Sequence, residues 1–312
     1  MVHAKRITTV LILLLAAVTA RAAAPPDAQD YHCTFKFAAE PEGELRYITL
    51  TVLVPADVPG RQKVRSIKYA PEPRKLFTVD GVRYAQFVID KPGPDKQNIV
   101  IAADLELYPS GLLPMKSSRD ARLLEKPADL QRWLVEETFL EVNDPAIERA
   151  AKPLAGRDDV ATVHNVLDYV CQTVEVGKYD PKAGDRGARW VLAERRGVCV
   201  EFTDLFVALC RACGVPARFR EGYLTTPVPA NDTPKHAWAE AYLKEYGWIT
   251  IDPYLIKKGS SNAENPRAIY ILLDNQRNNR TLTHLGGHHF SFAWGGHGTV
   301  KVEDSFEAVK AP

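Results

Sequence analysis

Through the first third of the chain, apolar and polar residues alternate with a period of two. Ile48, Leu50, Val52 and Val54 alternate with Tyr47, Thr49, Thr51 and Leu53, and Ile99, Ile101, Ala103, Leu105 and Leu107 repeat the pattern. Successive side chains of a strand point to opposite faces, so this period predicts half-buried β-structure from about Tyr31 to Leu107. Asp80-Gly81, between Leu76–Val79 and Val82–Tyr84, is a two-residue hairpin signal, and Lys91–Asp95 is a second turn. Strands at this spacing predict a small β-sandwich. Pro109 to Ser118 reads as a linker, after which the period changes to that of a helix. Asp144-Pro145 supplies a cap and a first-turn proline, with Gly156 as the expected stop. Asp158 or Asp159 then caps a helix with Val160, Val163, Leu167, Val170, Cys171 and Val174 on one face. His164 on that helix reads as a surface or packing histidine.

The clearest helical pattern lies between Gly197 and Pro216. Phe202, Leu205, Phe206, Leu209 and Cys213 form one apolar face of a buried helix. Gly197 marks the turn before it, Gly214 suits the left-handed position after it, and Pro216 cannot continue it. Cys199 therefore falls in the first turn. There the unpaired backbone N–H groups and the positive end of the helix dipole favour an anion, which is a physical route from thiol to thiolate.

A nucleophilic cysteine needs a base and a group to orient that base. His236–Leu243 and Gly247–Asp252 are strand-like runs separated by Lys244-Glu245-Tyr246, which predicts a hairpin with Gly247 in the left-handed position of the loop. His236 and Asp252 are an even number of residues apart, so an odd loop puts both on one face. A symmetric hairpin leaves them offset, and contact is expected to need a slipped register or a bulge. Ala217–Tyr223 reads as a further strand. The proline-rich stretch Thr225–Lys235 reads as a rigid loop walling a cleft. Trp238 and Trp248 flank the pair as core and substrate-cleft residues, and Glu201 with Arg218 is expected to form a structural ion pair.

The blocks Gly197-Val198-Cys199 with Arg211-Ala212-Cys213-Gly214-Val215-Pro216, His236-Ala237-Trp238-Ala239-Glu240, and Gly247-Trp248-Ile249-Thr250-Ile251-Asp252-Pro253 occur in that order. Together they resemble the core of the transglutaminase-like superfamily of papain-related cysteine enzymes, strongest from about Val160 to Tyr254. The resemblance implies an α+β, papain-like fold, in which a helix bearing the cysteine packs on an antiparallel sheet bearing the histidine and aspartate, with a β-rich N-terminal domain. It implies Cys199 as nucleophile, His236 as general base and acid, and Asp252 as the orienting carboxylate. An upstream aromatic residue, Tyr179 or Trp190, would join the cysteine's backbone N–H in stabilising an oxyanion; Tyr179, with a hydroxyl to donate, is the preferred candidate. The implied activity is acyl transfer on amide or peptide bonds through a thioester, with hydrolysis as the leading outcome. Cross-linking of glutamine to amines, or a catalytically idle binding module, are the alternatives.

Composition narrows the class. With 46% hydrophobic and 25% charged residues and a formal net charge of +1, the chain has the profile of a soluble globular protein with no electrostatic reason to bind nucleic acid. Lys5 and Arg6, the apolar run Val10–Val18 and the small residues around Ala20–Ala24 read as a signal peptide. Export to a bacterial periplasm or medium follows, with no membrane segment left after cleavage. Peptides, proteins or cell-wall peptides are then the expected substrates. The five cysteines leave at least one thiol unpaired; Cys171 with Cys210 or Cys213 as a bridge, and buried free thiols, both stay open. The tail carries His284, His288, His289 and His297 among glycines, read as a solvated loop with no metal, ahead of an edge strand at Thr299–Val302. No cofactor is expected. The resulting division is 1–22 signal peptide, 23–110 β-rich domain, 111–264 catalytic core and 265–312 C-terminal extension.

Overall fold

The computed structural model describes residues 28–58, 61–79, 82–108, 130–178, 186–225, 235–259, 268–272 and 290–312. The signal-peptide segment, the Asp80-Gly81 turn, the Pro109–Ser118 linker, Tyr179, most of the loop before His236 and His284–His289 lie outside them.

β1 (Gln29–Leu53) is long because its alternation is interrupted and then resumed. Tyr31, Cys33, Phe35, Phe37 and Ala39 are buried on odd positions, whereas Ile48, Leu50 and Val52 are buried on even ones. A bulge between Leu45 and Tyr47 makes the switch, and such a bulge also bends a strand. The first half of β1 pairs with β5 (Gln97–Leu107), and β2 (Gln62–Ala70) lies beyond it. The second half pairs with β4 (Val82–Asp90), which pairs with β3 (Lys75–Val79), Val79 opposite Val82. Phe35 and Phe37 from the first half and Leu50, Val52, Tyr84 and Phe87 from the second share one core with Ile99 and Ile101. The β-rich unit is thus one six-stranded sheet folded over a common interior.

The edge strand expected at Thr299–Val302 is far longer. It is β12 (Phe290–Lys310), and it runs antiparallel to β1 from Tyr31 opposite Lys310 to Val52 opposite Phe290. The end of the chain is therefore built into the first sheet.

The helical region follows its caps. Asp144 accepts from the Ala146 N–H at 2.7 Å and opens α1 (Pro145–Ala151), and Asp158 accepts from the Ala161 N–H at 2.7 Å and opens α2 (Asp159–Thr173). α1 stops at Ala151, short of the expected Gly156, giving way to a 3₁₀ turn that contains Pro153. The short strands β6 (Glu175–Val176) and β7 (Arg196–Gly197) pair in parallel on either side of α3 (Gly187–Glu194). At the centre is α4 (Cys199–Ala212). It is buried on every side from Glu201 to Arg211, beyond the single face expected, because α1, α2, α3, α5 (Pro253–Lys257), β8 (Ala217–Leu224) and β9 (Lys235–Leu243) surround it. β10 (Gly247–Ile251), β9, β8 and β11 (Ala268–Leu272) form the second sheet in that order.

Tyr223 of β8 joins the sheets. Its ring meets Phe35 edge-on at 5.4 Å and stacks on Phe306 at 4.2 Å, inside the core of the first sheet. Lys235, the residue before His236, pairs with Asp304 of β12 at 2.7 Å.

Candidate active site

α4 begins with Cys199 at its first helical position, after Val198 in extended conformation. The Phe202 N–H makes the first helical bond, to Val198 O at 3.1 Å, so the N–H groups of Cys199, Val200 and Glu201 have no partner within the helix. Glu201 turns back to accept from the Val198 N–H at 2.8 Å, which places a carboxylate in the first turn and fixes the bend. The ion pair expected between Glu201 and Arg218 does not form; Arg218 pairs with Glu240 at 2.7 Å. Gly197 is needed at the bend, since a Cβ there would lie 2.3 Å from Glu201 Cβ. Gly197→Ala is expected to push Glu201 away and loosen the first turn, costing about 1–3 kcal/mol of stability, read as a lower urea midpoint together with slower Cys199 alkylation.

β9 and β10 form the expected hairpin, with Gly247 opposite Leu243 and left-handed at φ +77°. The register is regular from Leu243 to Ala239, without the slip or bulge that contact was expected to need. Continued by one residue, it sets Asp252 across from Trp238, with His236 two positions further along the same face. Diagonal neighbours of this kind lie within reach of longer side chains. His236 Nε2 and Asp252 Oδ2 are 2.6 Å apart, and both residues are buried. Asp252 is also the cap of α5, its Oδ1 accepting from the Leu255 N–H at 2.9 Å. One carboxylate oxygen is anchored to backbone while the other faces the imidazole.

The Cys199 side chain lies near enough to His236 to act on its titration. Nε2 being on Asp252, Nδ1 is the nitrogen left for the thiol. Burial by itself would depress the imidazole's pKa, but the charge of Asp252, and then Cys199, outweigh it and raise it to about 10. The protonated ring is thus held between two groups that carry or can carry negative charge. Phe202 and Tyr254 meet edge-on at 5.6 Å, and Tyr254 lies 5.9 Å from the imidazole. Trp238 stacks against the imidazole at 6.3 Å and 18°.

Cys199, His236 and Asp252 are therefore brought together. Trp238 and Trp248 share the hairpin face that carries His236 but are buried, not lining an open cleft, with Trp248 against Trp133, Tyr242 and the Arg218 guanidinium, 3.9 Å from its ring. Tyr179 lies outside the described residues. Trp190 packs on the helical core with Arg186 over its ring at 4.3 Å. The other four cysteines are free thiols, Cys171 donating to Pro253 O and Cys213 to Ala151 O. Burial pushes Cys33 up to about 12 and Cys171 up to about 11, and raises Cys210 and Cys213 too. Among the described residues no group of three or more histidine, cysteine or acidic side chains is placed to hold a metal. His297 sits in β12 opposite Glu44. The buried network around Glu240, with Arg61 in it, was not anticipated from sequence; Arg218 and Arg220, two apart on one strand-like run, and Glu240 on the next were the available signal, and nothing local pointed to Arg61.

Residues 148–253 match the Transglutaminase-like superfamily model, so the segment holding the three residues is a transglutaminase-like core on an α+β, papain-like fold. An uncharacterized protein of Mycobacterium tuberculosis is 26% identical over 219 residues, covering 62% of this chain and 61% of that protein. The chain thus spans about three fifths of the length of that curated relative. Uncharacterized protein YebA of Bacillus subtilis is 28% identical over 31% of this chain and 14% of its own length. Among solved structures, one described as a candidate cysteine protease from Cytophaga hutchinsonii superposes with a TM-score of 0.63 at 17% identity over 92% of both chains, a likeness of fold.

Proposed function

We propose that the protein is an exported cysteine enzyme that cleaves amide or peptide bonds through a thioester acyl-enzyme. The observation that carries this reading is His236 held between Asp252, at 2.6 Å, and Cys199, at the first position of a buried helix. The Cys199 thiolate attacks the amide carbonyl carbon, and the oxyanion forms beside the N–H groups of the first turn. His236 Nδ1 then gives its proton to the leaving amine as the C–N bond breaks, leaving the acyl group on sulfur. Water, losing a proton to the same nitrogen, attacks the thioester, and the acid departs as the thiolate re-forms. Asp252 holds the ring's orientation and charge throughout. Tyr179 is the proposed second oxyanion donor. The basic and apolar pattern of Met1–Ala22 supports export, and among the described residues no helix is long and apolar enough to cross a membrane. Peptides, proteins and cell-wall peptides are the proposed substrates.

Alkylation of Cys199 against pH tests the site independently of substrate. The four other thiols are raised by burial, so labelling near neutrality reports Cys199. Iodoacetamide is expected to label the native protein at about pH 6 at least about tenfold faster than it labels His236→Ala. Equal rates would remove the enzyme reading and leave a binding module. Release of free acid from a peptide pool with added amine, against amine incorporation, then separates hydrolysis from cross-linking.

A further inference from the structure

One guanidinium from outside the second sheet reaches both strands that carry the base and its carboxylate. Arg61 lies just ahead of β2, in the segment that connects β1 to it. Its Nη2 donates to the carbonyl oxygen of Trp248 in β10, and its Nε lies 3.6 Å from Glu240 Oε1 in β9. Glu240 is four residues from His236 on the same face of β9, and Trp248 is four residues before Asp252. Val58, from the same segment, packs on Trp238, the ring stacked against the imidazole. The segment is itself pinned: the Arg61 N–H donates to Val58 O at 3.0 Å, and Arg61 O accepts from the Tyr108 N–H at 2.9 Å.

Glu240 has close partners without Arg61. Arg218 and Arg220 of β8 each donate to its Oε2 at 2.8 Å. All four charged groups are buried, a costly arrangement whose attested use is to fix one geometry and not to add stability. What Arg61 adds is a bond to the backbone of β10 from a residue anchored in the first sheet. We infer that Arg61 is a positioning residue: it locks the β9–β10 hairpin to the β-rich unit so that His236 and Asp252 keep their contact with each other and with Cys199. This rests on the reading of the three residues as a catalytic set. It gives the β-rich unit a part in the site without a contact to substrate.

The test uses the full chain with Arg61→Met and Arg61→Lys, following iodoacetamide labelling of Cys199 across pH together with thermal unfolding. Arg61→Met, with native circular dichroism, is expected to label about tenfold or more slowly at about pH 6, the scale of a small misplacement of reacting groups. The alkaline limb of its profile is expected to move to lower pH. Arg61→Lys, which keeps the buried charge beside Glu240, is expected to lower the unfolding temperature less than Arg61→Met yet show the same slowing, because a point ammonium cannot span Glu240 and the Trp248 carbonyl as a planar fork does. A folded Arg61→Met protein with the wild-type profile and only a lower unfolding temperature would overturn the inference. If that variant does not fold, a wild-type profile in Arg61→Lys overturns it instead. Loss of His236-dependent labelling in the unsubstituted protein would sink the catalytic reading as well, so the two failures are distinguishable.

Discussion

Cys199→Ala is expected to abolish turnover, a loss on the order of 10⁴–10⁶ in kcat, as when the nucleophile of a catalytic set acting as a unit is removed. The size follows from the mechanism: without sulfur no thioester can form, and His236 and Asp252 have nothing to activate. His236→Ala should fall nearly as far, and the double variant scarcely further, since groups that act together are not additive. The fold should survive, because Cys199 is only half-buried at the edge of α4 while Phe202, Leu205, Phe206 and Leu209 hold the helix. Steady-state hydrolysis with a urea titration of each variant gives both quantities. Activity surviving in Cys199→Ala would show that another group performs the attack.

The residues with the strongest local signals are also those that the structure brings together. A cysteine just after a glycine bend, on a helix whose apolar period ends in glycine and proline, can be read without knowing its neighbours, because helix ends are decided locally. The His–Asp hairpin was legible for the same reason, Gly247 and an even separation being local facts. Its register was not. Contact between offset residues was expected to demand a slip, yet a diagonal pair on a regular ladder suffices when one partner is a long ring and the other lies at the start of a helix. β12 was underestimated because its partner is about 250 residues away, and Ser291 to Gly298 carry no clean alternation. Arg218 went to Glu240 instead of Glu201 since the choice is made across strands β8 and β9, where the two residues are direct partners. Buried charge networks are tertiary features, and period and propensity do not report them.

Asp252→Asn is the second large effect, and it separates orientation from charge. The amide keeps a similar shape and an oxygen for the Leu255 N–H, so the cap on α5 is retained in part, whereas alanine removes it at a cost of about 1 kcal/mol. Neither variant can hold the imidazolium by charge. A drop in kcat on the order of 10²–10⁴ is expected for Asn, within the range known for the buried aspartate of a serine-protease triad, given as a general template and not a value for this chain. The pH dependence carries a distinct mark. His236 titrates at about 10 in the folded protein against 6.5 for an ordinary imidazole. The folded state therefore binds the proton more tightly than the unfolded one, and this contribution to stability is whole below about pH 6.5 and fades as pH rises toward 10. Between those limits, urea midpoints of the native protein are expected to fall more steeply than those of Asp252→Asn, whose imidazole has lost its main source of the upward shift. Parallel slopes for the two proteins would show that Asp252 does not hold the proton on His236, and its assigned role would fail with them.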